Sequence, residues 1–353
     1  MGPILPIPVL VVWAIVVCGG AYAVTTCSGA ATATVSASQL DLAALKQRFR
    51  RPEGVPHPKA NPMTPEKVAL GKALFFDPRL SRSGSVSCAT CHNPSLGWSD
   101  GLTRAVGFGM APLPRRTPPV RNLAWGSAFQ WDGRADSLEA QARMPITAPD
   151  EMNMSMDLVV ERLKAVPDYA PLFRDGFGGE EPITARNVTM ALATFQRTIV
   201  SGEAPFDRWA AGDESAIGAD AKRGFALFTG KAGCAACHST WRFTDDSFHD
   251  IGLKAGDDLG RGKFAPPSVT AMRYAFKTPS LRDLRMQGPY MHDGQLSSLD
   301  AVLDHYVKGG EKRPSLSFEM KPFEMGERER RDLVAFLETL KSEPAAITLP
   351  QLP

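Results

Sequence analysis

Apolar residues recur at helical spacing in several separate stretches of this chain. Residues 157–163 and 183–199 are two helical candidates, and Thr64, Pro65 and Glu66 supply the N-cap, first-turn proline and first-turn acid of another. A closing amphipathic helix is predicted by four apolar residues set among charged ones: Leu333, Phe336, Leu337 and Leu340. Strand-like alternation is nearly absent, so we predict an all-α protein.

Two short cysteine runs are the strongest chemical signal. Cys88-Ala-Thr-Cys91-His92 and Cys234-Ala-Ala-Cys237-His238 use four of the 6 cysteines. Each has the Cys-x-x-Cys-His spacing of covalent haem c attachment, in which the histidine binds iron. A four-cysteine zinc site or a redox dithiol would explain the pairs but not the histidine after each. The sequence therefore predicts two covalently bound haem c groups.

The sequence around the two runs forms a weak internal repeat. Residues 71–76 and 224–228 are similar glycine-led apolar segments, and each precedes a haem run. Residues 201–219, rich in glycine, alanine and acids, mark the best boundary between them. We predict two tandem cytochrome c-like domains with one haem each: residues 39–205 and 206–353, after a signal peptide and flexible leader over 1–38.

Composition and the N-terminus indicate where the protein works. The formal net charge of +2 gives no electrostatic case for a nucleic-acid partner. Residues 4–17 are apolar, and Ala21-Tyr22-Ala23 fits a signal-peptidase site, although the segment lacks lysine and arginine. An uncleaved membrane anchor is the alternative. We predict export to the periplasm.

Several further motifs resemble the di-haem cytochrome c peroxidase/MauG family. The resemblance covers about residues 70–340 and rests on both haem runs and on the segments at 74–81, 130–135, 248–252 and 289–294. It implies two cytochrome c domains whose haems face a shared interface. It also implies that the N-terminal haem reacts with peroxide and that the C-terminal haem transfers electrons.

The resemblance also implies that the first haem is open. Typical peroxidases of the family place a histidine on this iron, within a Gly-His-Gly segment. Here Phe108 stands in that position and cannot bind iron. We therefore expect His92 as the one protein ligand, as in MauG-type members, with Met110 as the alternative sixth ligand.

Residues for proton transfer follow from the same resemblance. Glu151 corresponds to the family's acid–base glutamate, and a buried apolar setting would raise its pKa. Asp150 is the rival base. Gln141 and Pro145 correspond to positions lining the same pocket, where Gln141 would orient a bound ligand by hydrogen bonding.

On the second haem, the family resemblance implies an unusual ligand opposite His238. Tyr306 occupies the position where the peroxidases carry methionine, and MauG-type members also carry tyrosine there. Because a phenol has a pKa near 10, its binding as phenolate at neutral pH requires the iron to supply about 4 kcal/mol for deprotonation. His305 is the adjacent competitor. Trp131 corresponds to the family's inter-haem tryptophan and is expected to relay electrons between the two haems.

Calcium is doubtful by the same resemblance. The family often binds calcium between the haems through an asparagine side chain and two backbone carbonyls. The carbonyls would be those of Gln287 and Pro289, but Arg116 replaces the asparagine. A guanidinium cannot bind calcium, although it could replace its charge.

The resemblance implies a MauG-like oxidoreductase. It would use hydrogen peroxide, or dioxygen plus electrons, to form high-valent iron that oxidises a protein substrate, as in maturation of the tryptophan tryptophylquinone cofactor of methylamine dehydrogenase. The first alternative is a peroxidase that takes electrons from a small cytochrome or cupredoxin. The second is a non-catalytic di-haem electron-transfer cytochrome.

Overall fold

The computed structural model describes residues 37–343 and 345–353. The predicted signal segment and its cleavage site lie outside these residues. Helix α1 begins at Ala37, so the last two residues of the predicted flexible leader are helical. Residues 42–353 form one compact unit that contains both cysteine runs. Within the described part of the chain, no helix combines the length and hydropathy needed to cross a bilayer.

The described residues are rich in helix, as the sequence predicts, and contain almost no sheet. The helices are α1 (Ala37–Arg48), α2 (Pro65–Phe76), α3 (Cys88–Cys91), α4 (Leu138–Thr147), α5 (Met156–Lys164), α6 (Tyr169–Phe177), α7 (Ala185–Thr198), α8 (Pro205–Ala210), α9 (Ala219–Thr229), α10 (Leu299–Lys308) and α11 (Glu327–Glu338). The strands are β1 (Phe248–His249) and β2 (Phe276–Lys277), which pair antiparallel. The predicted helices at 157–163 and 183–199 correspond to α5 and α7.

In the first half of the described chain, which contains α2 to α7, α2 packs on α7. Thr64 caps α2 as predicted, because its hydroxyl accepts the backbone N–H of Lys67 at 3.3 Å. The two helices touch at Gly71, where a Cβ would lie 2.0 Å from the carbonyl oxygen of Ala191. The absence of a side chain at Gly71 therefore sets the separation of the two helices.

The second half repeats this arrangement with α9 packed on α11. A Cβ at Gly224 would lie 2.0 Å from the carbonyl oxygen of Asp332. Leu333, Phe336 and Leu337 are buried in this half, as the closing-helix pattern predicts, and Leu340 is buried just beyond the helix end. The weak sequence repeat thus has a physical basis, because each repeat places a glycine where two helices pack in contact.

The predicted boundary segment at 201–219 is more than a linker. It contains α8, whose Phe206 and Trp209 are buried in the hydrophobic core of the second half. Phe49, from the N-terminal side of the chain, is buried in the same core and stacks on Phe243. The core of the second half therefore contains residues from both sides of the first haem run in sequence.

Polar contacts join the two halves. Arg115 bridges Asp132 at 2.7 Å and Asp258 at 2.6 Å. The backbone N–H of Arg116 donates to the carbonyl oxygen of His292 at 2.9 Å. These contacts hold the segment before Pro118 against the second half.

Candidate haem sites

The first cysteine run opens a cavity in the first half. Cys88 and Cys91 begin and end α3, a single turn whose capping box joins Ser87 to Thr90. Both cysteines and His92 line a cavity of about 570 Å³. Two thiols and an imidazole therefore line one cavity, as covalent attachment of haem c requires.

His92 is oriented for metal binding. Its Nδ1 lies 3.3 Å from the carbonyl oxygen of Trp98, and burial lowers its pKa. When Nδ1 carries the proton and donates a hydrogen bond to that oxygen, Nε2 keeps a free lone pair that can bind a metal. A backbone carbonyl that fixes the imidazole in this way is a common partner of a metal-binding histidine.

The second cysteine run repeats the arrangement in the second half. The run folds as a 3₁₀ turn, Cys234–Ala236, and both cysteines and His238 line a cavity of about 690 Å³. The Nδ1 of His238 lies 2.8 Å from the carbonyl oxygen of Phe243, and burial lowers the pKa of this histidine too. In both runs, burial disfavours the protonated imidazole and a backbone carbonyl lies within reach of Nδ1, which leaves Nε2 available for a metal.

The first cavity also contains the predicted acid–base residues. Gln141 and Pro145 reach it from α4, and Glu151 reaches it from the following loop. Burial and the nearby carboxylate of Asp150 raise the pKa of Glu151, against a smaller opposing effect of Arg134. Asp150 also borders the cavity but is solvent-exposed. The environment therefore favours Glu151 over Asp150 as the proton-transfer residue.

Phe108 does not line the first cavity, contrary to its expected place in the site. The neighbouring Val106 and Gly107 line it instead. The backbone N–H of Phe108 donates to the carbonyl oxygen of Asp150 at 2.9 Å, which binds this loop to the Glu151 loop. A Cβ at Gly107 would lie 1.9 Å from that same oxygen, so the two loops pack in direct contact.

Met110, the alternative sixth ligand of the first haem, is 80% exposed and does not line the cavity. Met144 and Met152 do line it, and the sequence pattern had not singled them out. Among the described residues that line this cavity, His92 is the single histidine.

Opposite His238, the structure separates the two candidate ligands. Tyr306 lines the second cavity, whereas the Nε2 of the adjacent His305 lies 2.8 Å from the carbonyl oxygen of Ile251. Burial raises the pKa of the Tyr306 phenol, so a bound cation is needed to favour the phenolate. Successive residues on α10 point in different directions, which is why one can face the cavity while the other does not.

Two other histidines border the second cavity but already have protein partners. The Nε2 of His249 lies 2.8 Å from Asp245. The ring of His292 stacks on Phe276, with the ring centroids 3.5 Å apart. Both contacts suit a histidine that supports the haem site rather than one that binds iron.

A small group of residues borders both cavities: Pro114, Trp131, Asp258, Lys277 and Pro279. Trp131 is buried, and its indole N–H donates to the carbonyl oxygen of Arg116 at 3.0 Å. The predicted inter-haem tryptophan therefore lies between the two cavities. The sequence had given no signal for Lys277, whose ammonium lies 3.3 Å from Asp246.

Of the three residues at the expected calcium position, Arg116 and Gln287 line the first cavity, but Pro289 does not. The Gln287 side chain donates from Nε2 to the carbonyl oxygen of Arg282 at 2.7 Å. The Arg116 guanidinium adds a positive charge where a calcium ion would need oxygen donors.

Both cavities fit a haem in size and chemistry. Their volumes fall within the usual range for cofactor pockets, and their walls are largely apolar. In the first cavity, buried polar atoms lack protein partners: Nε and Nη2 of Arg116, Oε1 of Gln141 and Oε1 of Gln196. Buried polar atoms are rarely left unpaired, so these atoms indicate a polar occupant or ordered water.

Comparison with known proteins agrees with this geometry. The family profile described as di-haem cytochrome c peroxidase matches residues 65–215, and a cytochrome c profile matches residues 221–341. Methylamine utilization protein MauG of Methylorubrum extorquens is 92% identical over 353 residues, 100% of both chains. The chain belongs to the di-haem cytochrome c peroxidase/MauG family. The family resemblance drawn from the motifs is thus confirmed.

Two further relatives align with most of this chain. MauG of Methylophilus methylotrophus is 53% identical over 87% of this chain and 92% of its own. The crystal structure of a MauG-like protein associated with microbial copper homeostasis has a TM-score of 0.77 and 30% identity, and it covers 83% of this chain and 95% of that one. The protein therefore has two tandem cytochrome c-type domains. It is a haem peroxidase-type oxidoreductase that uses haem c and acts with peroxide or a protein substrate.

Proposed function

We propose that this protein is a MauG-type di-haem enzyme that matures the tryptophan tryptophylquinone cofactor of methylamine dehydrogenase. The expected MauG-like assignment is confirmed by the 92% identity over the whole chain. The structural observation that carries the proposal is the difference between the cavities. The first faces His92 with Glu151 and Gln141, whereas the second faces His238 with Tyr306.

We infer one haem c in each domain. Cys88 and Cys91 would hold the first through thioethers, and Cys234 and Cys237 would hold the second. His92 and His238 would bind the irons through Nε2, since Nδ1 of each is committed to a backbone carbonyl. When bound, the haem iron supplies the site of peroxide reduction and takes up the oxidising equivalents.

Glu151 moves the proton in this reaction. Reduction of hydrogen peroxide to two waters consumes two electrons and two protons. A Glu151 carboxylate oxygen accepts the proton of one peroxide oxygen and returns it to the other, which leaves as water. The raised pKa of Glu151 brings its proton affinity closer to that of its partners near neutral pH. Gln141 orients the peroxide through its side-chain amide, whose Oε1 has no protein partner.

The second haem would store oxidising equivalents. Tyr306 would hold its iron as a phenolate, an anionic oxygen donor that favours ferric iron over ferrous iron. Trp131, buried between the cavities, provides an aromatic relay for electrons. The two electrons come from tryptophan side chains of the substrate protein, so the substrate is oxidised as peroxide is reduced.

Two further parts of the proposal concern metal content and location. Because the Arg116 side chain offers no oxygen ligand, we expect no calcium at this position, which metal analysis would check. Residues 1–38 would direct export to the periplasm. Cell fractionation and the mass of the mature N-terminus would test this.

The decisive experiment adds hydrogen peroxide to the diferric protein and records EPR and Mössbauer spectra. We expect a resting high-spin haem and a low-spin haem, and loss of both ferric signals after peroxide. Two low-spin haems at rest would contradict an open first iron and would point to Met144 or Met152 as its ligand. A precursor of methylamine dehydrogenase should then gain quinone absorbance with wild type but not with Glu151→Gln.

The second candidate is a peroxidase that uses a small cytochrome as donor, which the family assignment supports. Steady-state turnover separates the two functions. Rapid peroxide-dependent oxidation of reduced cytochrome c, without quinone formation in the precursor, would favour the peroxidase.

A further inference from the structure

Arg116 differs from the other deeply buried arginines of the described chain. It is 4% exposed, yet its Nε and Nη2 have no hydrogen-bond partner. Arg197 and Arg282 are equally buried, but each makes two bonds to a carboxylate. The first pairs with Glu139 at 2.8 and 2.9 Å, and the second with Asp207 at 2.8 and 2.7 Å. The described residues thus leave the Arg116 guanidinium without a carboxylate hydrogen-bonded to it.

A buried guanidinium without an anion is unfavourable, because it stays protonated and loses hydration. Burial lowers the pKa of Arg116, with a smaller opposing effect of Asp100. That carboxylate is already engaged, since it accepts the Thr117 hydroxyl at 2.6 Å and the Leu102 N–H at 2.9 Å. The described residues therefore leave these donors available to a bound anionic group.

Two backbone hydrogen bonds fix the position of the Arg116 main chain. The N–H of Arg116 donates to the carbonyl oxygen of His292 at 2.9 Å, and its carbonyl oxygen accepts the indole N–H of Trp131 at 3.0 Å. Both contacts lie at the junction of the two halves, and Arg116 lines the first cavity. The Arg116 main chain is thus anchored at this junction, and the residue lines the proposed haem pocket.

The occupant of that pocket carries the matching chemistry. A haem has two propionate carboxylates, and the planar guanidinium suits bidentate binding of a carboxylate. We propose that Arg116 binds a propionate of the haem in the first cavity through Nε and Nη2 and raises the reduction potential of that haem. This inference rests on the proposed haem content of the first domain.

Three variants of the full-length haem protein test the proposal. Arg116→Gln removes the charge, Arg116→Lys keeps the charge without the planar pair of donors, and Arg82→Gln removes an exposed charge from the same half. The readouts are haem content by the pyridine haemochrome assay, propionate bending modes by resonance Raman spectroscopy, and potentiometric titration of the high-spin haem.

We expect Arg116→Gln to shift one propionate mode and to lower the potential, because a buried positive charge stabilises the reduced haem. Arg116→Lys should shift the mode while largely keeping the potential, and Arg82→Gln should change neither. Two haems per chain with unchanged modes in both Arg116 variants would overturn the inference and leave the proposed function standing. Fewer than two haems in the wild-type protein would overturn both. If Arg116→Gln does not fold, the propionate bending mode of Arg116→Lys tests the proposal, and an unchanged mode would overturn it.

Discussion

The glycine at each helix crossing leads to a prediction that opposes helix propensity. Gly71 lies inside α2, so Gly71→Ala would by propensity alone stabilise the protein by about 1 kcal/mol. In the structure, however, the new Cβ would lie 2.0 Å from the Ala191 carbonyl oxygen and 2.9 Å from Cβ of Phe195. Packing and propensity therefore predict opposite signs for the same substitution.

The structure allows the size of the packing effect to be worked out. Cβ atoms essentially never approach other heavy atoms within 3.0 Å, so α2 and α7 must separate by about 1 Å. Overpacking of this kind typically costs about 1–3 kcal/mol, with larger losses where backbone must move. Since backbone meets backbone here, we expect a net destabilisation on the order of 2 kcal/mol after the gain in propensity.

The assay is thermal unfolding of the haem-loaded protein, followed by circular dichroism and Soret absorbance. Gly71→Ala should lower Tm by several degrees, and Gly224→Ala should do the same in the second half, where the new Cβ would lie 2.0 Å from the Asp332 carbonyl oxygen. Gly176→Ala in α6 is the matched control, because its nearest neighbour is the Lys67 Cγ at 3.4 Å. An unchanged or raised Tm in Gly71→Ala would refute the reasoning.

Three further predictions concern the proposed chemistry and the second core. Glu151→Gln should slow the reaction with peroxide by about 10²–10⁴-fold in stopped-flow measurements. In the wild type, the rate should rise with pH through the raised pKa of Glu151, because the carboxylate is the form that accepts the proton, and this dependence should vanish in the variant. Trp131→Phe should keep both resting haem spectra but slow oxidation of the second haem after peroxide, and equal rates would exclude Trp131 as the relay. Asp207→Asn leaves Arg282 buried without its carboxylate and should cost about 3 kcal/mol, seen as a lower Tm. The exposed pair of Asp213 and Arg208, 4.0 Å apart, supplies the control Asp213→Asn, which should change Tm little.

Sequence reasoning was most successful where the signal is local. The N-cap at Thr64, the extents of α5 and α7 and the closing helix depend on neighbouring residues, and the structure confirms them. Spacing within each cysteine run is equally local, because thiols three residues apart and the next histidine share one turn of backbone. These patterns predicted the fold class and the haem attachment chemistry without tertiary contacts.

The sequence was less informative where two segments must meet. The resemblance implied that Phe108 stands where other family members place a histidine ligand, but Val106 and Gly107 line the cavity instead, and the Phe108 N–H donates to the backbone carbonyl oxygen of Asp150. The boundary segment looked like a linker by composition, yet Trp209 is buried in the second core. Both outcomes depend on the partner segment, which a local pattern does not describe.

The sequence by itself determined that this is a helical, two-domain haem c protein with a weak internal repeat. Tertiary structure decided that Tyr306 faces the second cavity while His305 is held by a backbone carbonyl. It also placed Trp131 between the cavities and left Arg116 without an anion at the wall of the first. Residue type and spacing fix which groups can bind a haem, but the direction of a side chain and the charges around it depend on packing between segments far apart in the chain.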